Sequence, residues 1–298
     1  MADIDALRVQ KYATNLEMLL QQRGAPFRNY CRTANAAGAS AYRYLSQVGR
    51  VEYSRQKSVA EPIDNAVMNL STRWVHAPMP AKFQTIVDNV DLMLTNIEPT
   101  GPYVTAAVEA LNRQSTDAFL AAFFGTAKTG DNGGSSTTFT SGNIISASTG
   151  AGGDVGLTVE KLRAVKKLAA SKFCDFGMER PVMGLNAKAH DDLLALTQVT
   201  SADFNGSRPT LVDGRVTSFM GIDFIMSEQI GLDSTNTYYA LPFWLPSGMG
   251  EAVWYEQKVD IREIPTMTDK PRLVEALSCI DYTRLEEDKC YQVNITTA

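Results

Sequence analysis

The chain has 298 residues, enough for one large or two modest domains, and its 44% hydrophobic content is sufficient for buried cores. A formal net charge of -5 argues against a dedicated nucleic-acid binder, which usually carries a basic face. Four widely spaced cysteines without a CxxC pair indicate reduced thiols rather than a metal or redox site. The acidic residues at the start of the sequence argue against a signal peptide. The sequence contains no apolar window of about 18 residues, so no membrane span is predicted.

The first quarter of the chain is predicted to need an external surface. The stretch 25–49 mixes Gly, Ala, Arg and Tyr without a clean period, so it is not expected to bury itself. Strand-like patches at Val48–Tyr53 and Thr72–His76 flank a polar middle that contains Lys57 and Glu61. Because a lone two-stranded hairpin is marginally stable in water, we expect contacts from outside the hairpin to supply the missing packing.

A long amphipathic helix is predicted over 102–125. Pro102 suits the first turn of a helix, where its missing N–H costs nothing, and Gly125 suits the end. One apolar stripe recurs at spacings of three and four and comprises Val104, Val108, Leu111, Ser115, Ala118, Phe119, Ala122 and Phe123. A helix of this length is expected to lie against a sheet or to span a subunit.

A nearly uncharged run rich in Gly, Ser and Thr follows over 128–156. Fixing the backbone of such a run costs about 1–2 kcal/mol per residue. Phe139, Ile144 and Ile145 are its only predicted anchors, so we expect neighbouring subunits or a bound accessory protein to hold it, or the run to stay mobile. The run begins like a phosphate-binding loop, but Asp131 stands where a Walker motif requires Lys, which favours a helix C-cap and flexible turn over nucleotide binding.

The second half of the chain mixes helices and strands without strict βαβ alternation, which favours an α+β fold. Thr158 and Asn186 are predicted N-caps of two helices. Met220 and Gly221 are predicted to form a turn between two strands. Further strands are expected at Phe83–Val90, Arg180–Leu185, Tyr238–Leu241, Ala252–Tyr255, Val259–Ile264, Arg272–Tyr282 and Cys290–Ile295.

No arrangement of residues in the sequence indicates catalysis, a cofactor or a metal. The chain has only two histidines, His76 and His190, and lacks the motifs of nucleophilic triads and two-histidine metal sites. His190 is expected on a solvated helix face. Trp74 is a candidate interface anchor, whereas Trp244 and Trp254 are expected in the core.

Several segments together resemble the major capsid proteins of short-tailed and related tailed bacteriophages. The likeness rests on Glu98-Pro-Thr-Gly-Pro-Tyr103, on the Ala-rich helix, and on the exit Gly125-Thr-Ala-Lys-Thr-Gly130. It extends to Ala41-Tyr42, to Glu61-Pro62 and to Arg272–Ile295. The resemblance implies the shell fold of tailed phages and herpesviruses, with these parts: an N-terminal arm (1–49), an extended loop (50–80), a peripheral domain with a spine helix (81–184), an axial domain (185–262) and return strands of the peripheral domain (263–298).

The resemblance also implies a function. We expect a structural protein that self-assembles into an icosahedral shell of hexamers and pentamers, located in the virion and assembled in the host cytoplasm. Its expected partners are further copies, a portal protein, scaffolding or decoration proteins, and packaged double-stranded DNA contacted non-specifically. Contact candidates toward a neighbouring subunit are Lys57, Glu61, Arg73, Trp74 and His76. Two alternatives stay open, a cytosolic globular enzyme such as a hydrolase without a recognisable motif, and an encapsulin-type shell with an enzyme cargo.

Overall fold

The computed structural model describes residues 24–49, 55, 70–87, 100–150, 152–200, 211–212, 214–233, 235–267 and 270–297. Its helices are α1 (Thr100–Phe124), α2 (Val159–Ser171), α3 (Ala187–Leu194) and α4 (Thr197–Thr200). Its strands are β1 (Arg32–Asn35), β2 (Ala41–Val48), β3 (Leu70–His76), β4 (Ala81–Val87), β5 (Ala127–Thr129), β6 (Ser135–Thr137), β7 (Ile144–Ile145), β8 (Val182–Leu185), β9 (Leu211–Val212), β10 (Arg215–Val216), β11 (Ser218–Phe219), β12 (Ile222–Met226), β13 (Tyr238–Trp244), β14 (Met249–Glu263), β15 (Arg272–Arg284) and β16 (Cys290–Thr296).

The strands form three larger sheets and one short pair. A four-stranded sheet has the order β1-β14-β15-β4, and a six-stranded sheet has the order β11-β12-β8-β13-β16-β7. The sheet β2-β3-β5-β6 joins the predicted hairpin to the Gly-rich run, while β9 pairs with β10. Helices and strands are therefore mixed as predicted, and the α+β class is confirmed.

Helix α1 joins two cores. Its first half places Ala107 and Leu111 against Ala276 of β15, because the apolar stripe faces the four-stranded sheet. Its second half places Phe119 and Phe123 in the main core beside the six-stranded sheet. The predicted bounds 102–125 agree with Thr100–Phe124 to within two residues.

The main core is aromatic where α1 meets β13. Trp244 is fully buried and contacts the rings of Phe27, Phe119 and Phe123 at centroid distances of 5.7, 5.1 and 6.0 Å. Trp254 is buried in a second, smaller core. The expectation that Trp244 and Trp254 are core residues is confirmed.

The stretch 25–49 was expected to need another surface, and this expectation is wrong for its first part. Phe27 is buried in the main core, and Trp244 donates its indole N–H to the carbonyl oxygen of Tyr30 at 2.9 Å. Arg28 forms an ion pair of 2.7 Å with the buried carboxylate of Glu251. The segment therefore packs on its own chain. Isolated aromatic residues anchor it, and such residues produce no periodic pattern in the sequence.

The Gly-rich run 128–156 is also held by its own chain, contrary to the prediction. It contributes β5, β6 and β7, and Asn143 and Ala147 are buried anchors that the sequence did not indicate. Lys161 is buried on α2 and donates to the carbonyl oxygens of Val155 and Asn294 at 2.6 and 2.9 Å. Burial of its ammonium group lowers the pKa of Lys161 to about 8.

The long strand β14 was predicted as two separate strands. The register against β15 shifts between Val253 and Tyr255 and again between Tyr255 and Lys258. Such bulges break the two-residue alternation of side chains, so one bent strand resembles two short ones in the sequence.

The predicted division into domains stays a prediction. β14 is hydrogen-bonded to β15, whereas β16 pairs with β13 and β7 in the six-stranded sheet.

Candidate functional site at the base of the hairpin

Strand β3 carries three of the five predicted contact residues. Arg73 and Val75 point inward, whereas Trp74 is half-buried and His76 is exposed. β3 pairs with β2 on one side and with β5 on the other, where Arg73 lies opposite Thr129 and Trp74 opposite Lys128. The other two predicted contact residues, Lys57 and Glu61, lie outside the described residues.

Trp74 fixes the hairpin to the Gly-rich run. Its indole N–H donates to the carbonyl oxygen of Gly130 at 2.7 Å, and the Thr72 hydroxyl donates to the same oxygen at 3.0 Å. The guanidinium carbon of Arg43 lies 5.9 Å from the ring centroid, within cation–π distance. Trp74 therefore has partners in its own chain.

His76 lies next to Gly133. Gly133 has a φ of +73°, which favours glycine, and a Cβ atom there would lie only 2.7 Å from Nε2 of His76. An added Cβ atom would require the His76 ring to shift, so the positive φ and this contact both favour glycine at this position. His76 is thus a packing partner of the turn.

Arg73 faces the turn after β15 but makes a loose contact. Its guanidinium Nη2 lies 3.9 Å from Oε1 of Glu287, and the two side chains are 10% and 14% exposed. Nε of Arg73 and Oε1 of Glu287 are buried without a hydrogen-bond partner in the part of the chain that the structure describes. An unsatisfied buried polar atom costs about 1–3 kcal/mol.

Arg284, the last residue of β15, is the central polar residue of this region, and the sequence did not single it out. The side chain is fully buried, and Nη1 donates to the carbonyl oxygens of Ala122, Phe123 and Gly125 at 3.0, 2.6 and 2.7 Å. These carbonyls at the end of α1 lack partners within the helix, so a cation there satisfies them and interacts favourably with the helix dipole. Nε of Arg284 donates to Glu287 at 2.8 Å.

A second set of contacts ties the Gly-rich run to the same turn. The Asn143 amide donates to the carbonyl oxygens of Glu287 and Cys290 at 2.6 and 2.9 Å. The Lys172 ammonium group donates to the Asn143 side-chain oxygen at 2.5 Å and to Asp288 at 2.6 Å. The segment Arg284–Cys290, which we call the junction turn, therefore holds α1, the Gly-rich run and the end of α2 in fixed positions.

Exposed apolar side chains lie on the outer part of the hairpin and on the turn after α2. Val48 and Leu70 are cross-strand partners and are 57% and 65% exposed. Phe173 and Met178 are also largely exposed. Val48 and Phe173 line one cleft together with Lys172 and Glu286. Exposed apolar groups of this kind are typical of surfaces that a partner covers.

Within the described ranges, no three His, Cys, Asp or Glu side chains lie close enough to hold a metal ion. Burial raises the pKa of the Cys31 and Cys290 thiols, so neither is an activated nucleophile. His190 was expected on a solvated helix face; it is half-buried, and its Nε2 accepts the backbone N–H of Val216 at 3.2 Å. None of the described helices is long and apolar enough to cross a membrane.

The chain matches a family model described as phage capsid protein over residues 4–296. None of the curated proteins matches this sequence.

Solved capsid structures share the fold. The capsid of cyanophage P-SCSP1u has a TM-score of 0.74 at 13% identity, and the match covers 99% of this chain and 95% of that one. The capsid asymmetric unit of cyanophage Pam1 also has a TM-score of 0.74, at 12% identity, with both chains covered completely. The capsid of a native GTA particle has a TM-score of 0.66 at 13% identity, covering 99% of this chain and 98% of that one. The likeness to these capsids confirms the predicted shell fold.

Proposed function

This chain belongs to the phage capsid protein family, and on this premise we propose a contact that joins neighbouring subunits. Its role is structural: it is a major capsid protein of the virion that assembles with further copies into a shell. It is not an enzyme, as the sequence predicted, and the hydrolase alternative has no support. The proposal concerns the surfaces and the partners of that assembly.

We infer that the shell consists of hexamers and pentamers, incorporates a portal protein and assembles in the host cytoplasm, with scaffolding or decoration proteins as further partners. The acidic chain suits a wall that touches packaged double-stranded DNA only non-specifically, because like charges weaken adhesion to phosphates. The absence of a strongly basic composition supports this view.

The proposed contact between subunits rests on the exposure of the side chains of Val48 and Leu70. Both side chains lie at the same register of the β2–β3 hairpin, at its end away from β5. Burying each would contribute about 1.5–3 kcal/mol, which the isolated chain does not gain. We propose that this end of the hairpin lies on a neighbouring copy, in an interface well above about 1,000 Å².

The five predicted contact residues divide into two groups under this proposal. Arg73, Trp74 and His76 act at the base, where they set the direction of the hairpin through contacts with Gly130, Gly133 and the junction turn. Lys57 and Glu61 belong to the segment between β2 and β3 and are the proposed direct contacts with the neighbour. The predicted extended loop, 50–80, thus has its base within its own subunit.

A double substitution tests the proposal. Val48→Lys with Leu70→Lys introduces charge on two exposed positions, so we expect a folded subunit with an unchanged melting temperature that forms no shells in negative-stain images. Met267→Lys is the matched control, because Met267 is also exposed but lies in the turn between β14 and β15, outside this set of apolar side chains. Normal shells from the double variant would refute the hairpin contact.

A further inference from the structure

Phe173 follows α2 in a backbone conformation that normally belongs to glycine. Its φ is +63°, and its amide donates to the carbonyl oxygen of Ala170 at 3.0 Å. The next amide, that of Cys174, donates to the carbonyl oxygen of Ala169 at 3.1 Å. These two bonds form a Schellman motif, in which glycine is usual at the position of Phe173 because a side chain is strained there. An aromatic residue at this position therefore weakens the end of the helix.

Most of the Phe173 surface faces solvent. The residue is 80% exposed, whereas Met220, which also has a positive φ, packs against the main core. Asn132 and Asn236 share the positive φ as well, but asparagine tolerates this region better than other residues with a Cβ atom. Burial within the chain thus compensates Met220 for its strained backbone and does not do so for Phe173.

The turn that carries Phe173 is fixed on both sides. The Lys172 ammonium group and the Cys174 thiol both donate to Asp288 of the junction turn, at 2.6 and 3.2 Å. Phe176 packs against the main core three residues later. An aromatic ring presented by a rigid segment loses little conformational freedom on binding, and such rings are common among the residues that dominate protein interfaces. Phe173 therefore combines backbone strain, exposure and a fixed position.

The surroundings of Phe173 indicate a second copy of this chain as the partner. Phe173 and Val48 line the same cleft, and Leu70 pairs with Val48 across the hairpin. Three exposed apolar side chains therefore lie in or beside one concave surface. The chain assembles with further copies into a shell. Because each subunit exposes one such surface, further copies are the occupant that assembly itself supplies in equal number.

We propose that Phe173 is an anchor residue of the contact between subunits and packs, beside Val48 and Leu70, against a neighbouring copy. The contact removes its ring from water and so compensates the strained backbone that the free subunit retains. This inference rests on the proposed function and extends the proposed surface from the hairpin to the turn after α2. It requires no change in the conformation of the subunit.

The test uses the full chain, as free subunits at low concentration and as shells assembled from purified chain. Phe173→Gly removes both the ring and the strain, so the melting temperature of the free subunit should rise by about 2–4 °C. The concentration at which shells form should nevertheless rise by at least about tenfold, the effect of losing an interface anchor. Phe173→Leu keeps an apolar side chain and the strained backbone, so it should assemble at a lower concentration than Phe173→Gly. Asn236→Gly is the matched control, because it places glycine at another exposed position with positive φ and should leave that concentration unchanged.

Hydroxyl-radical footprinting of the wild-type chain should show much slower oxidation of the Phe173 ring in shells than in free subunits, without any substitution. Equal oxidation in the two overturns the inference, as do Phe173→Gly shells that form at the wild-type concentration or a Phe173→Gly subunit that melts lower than wild type. Protection that requires a second kind of protein overturns the neighbouring copy as the partner. A wild-type chain that forms no shells refutes the proposed function instead, and normal shells from the Val48 and Leu70 double variant refute only the hairpin contact.

Discussion

Trp74 and Gly130 are joined by a hydrogen bond of 2.7 Å from the indole N–H to the main-chain carbonyl oxygen. This bond connects the predicted hairpin to the Gly-rich run inside one chain. It gives both segments a position before any neighbouring subunit is present. The hairpin therefore has a defined base, and only its outer end depends on assembly.

Trp74→Phe keeps an aromatic ring and removes the N–H donor. We expect the free energy of unfolding to fall by about 0.5–1.5 kcal/mol, the net contribution of one hydrogen bond. Amide hydrogen exchange at Gly130–Gly134 should become faster, because the carbonyl of Gly130 loses a donor. Tyr42→Phe is the control, since it removes a hydroxyl of the neighbouring strand β2. Unchanged exchange in the Trp74 variant would contradict the assigned role.

Arg284→Met should be among the most destabilising single substitutions in this chain. It leaves three carbonyls at the end of α1 and the Glu287 carboxylate without their partner, and removing one member of a buried charge pair costs about 3–5 kcal/mol. Urea unfolding of the soluble subunit measures the loss. Arg180→Met is the control, because Arg180 is exposed and its ion pair with Asp223 is 3.4 Å long. A loss below about 1 kcal/mol, typical of a surface pair, would show that the guanidinium is not required there.

The lowered pKa of the buried Lys161 should make the free energy of unfolding depend on pH. Its pKa is about 8 in the folded chain against an ordinary lysine value of 10.5, so the unfolded chain binds more protons between these values. Stability therefore rises with pH across this window, by at most about 1.4 kcal/mol per pH unit, and Lys161 contributes no slope below it. A neutral amine keeps two N–H donors for Val155 and Asn294.

The measurement compares wild type with Lys161→Met in urea at several pH values from 7 to 10. We expect the stability difference between them to grow in favour of wild type as the pH rises above 8. Lys166→Met is the control, because Lys166 also donates to a main-chain carbonyl, that of Met220 at 2.7 Å. A difference that is constant, or that shrinks with rising pH, contradicts the assigned protonation.

Gly133→Ala should weaken the contact between the turn before β6 and the end of β3. The positive φ alone costs an alanine about 1–2 kcal/mol, and the added Cβ atom would lie 2.7 Å from His76. Combining it with His76→Ala should restore part of the lost melting temperature, because the clash disappears while the backbone strain remains. Gly152→Ala, at a position with open space, is the neutral control. Strict additivity in the double variant would mean that the two residues do not touch.

Local patterns predicted the elements that local forces determine. The helix α1 follows from an unbroken apolar stripe with Pro102 at its start and Gly125 at its end. The N-caps at Thr158 and Asn186 are confirmed, since each side chain accepts a backbone N–H from the first turn. The turn at Met220 and Gly221 is also confirmed, with positive φ at both residues.

The buried polar residues could not be predicted in the same way. Arg284, Asn143 and Lys161 are buried because main-chain carbonyls from distant segments surround their donors. Nothing within a few residues of each marks this environment, and exposed residues of these types are far more common. The anchoring of the Gly-rich run was missed for the same reason, because its partners lie far away in the sequence.

The position of β16 has a consequence for the order of synthesis. This strand lies between β13 and β7 inside the six-stranded sheet, and its residues are almost entirely buried. A nascent chain whose Cys290–Thr296 segment is still inside the ribosome therefore leaves one edge of β13 unpaired and β7 without its partner in the sheet. A chain truncated before Cys290 lacks the strand that joins β7 to β13, so only subunits translated through this strand can complete the main core, which contains Cys290, Tyr291, Val293 and Ile295.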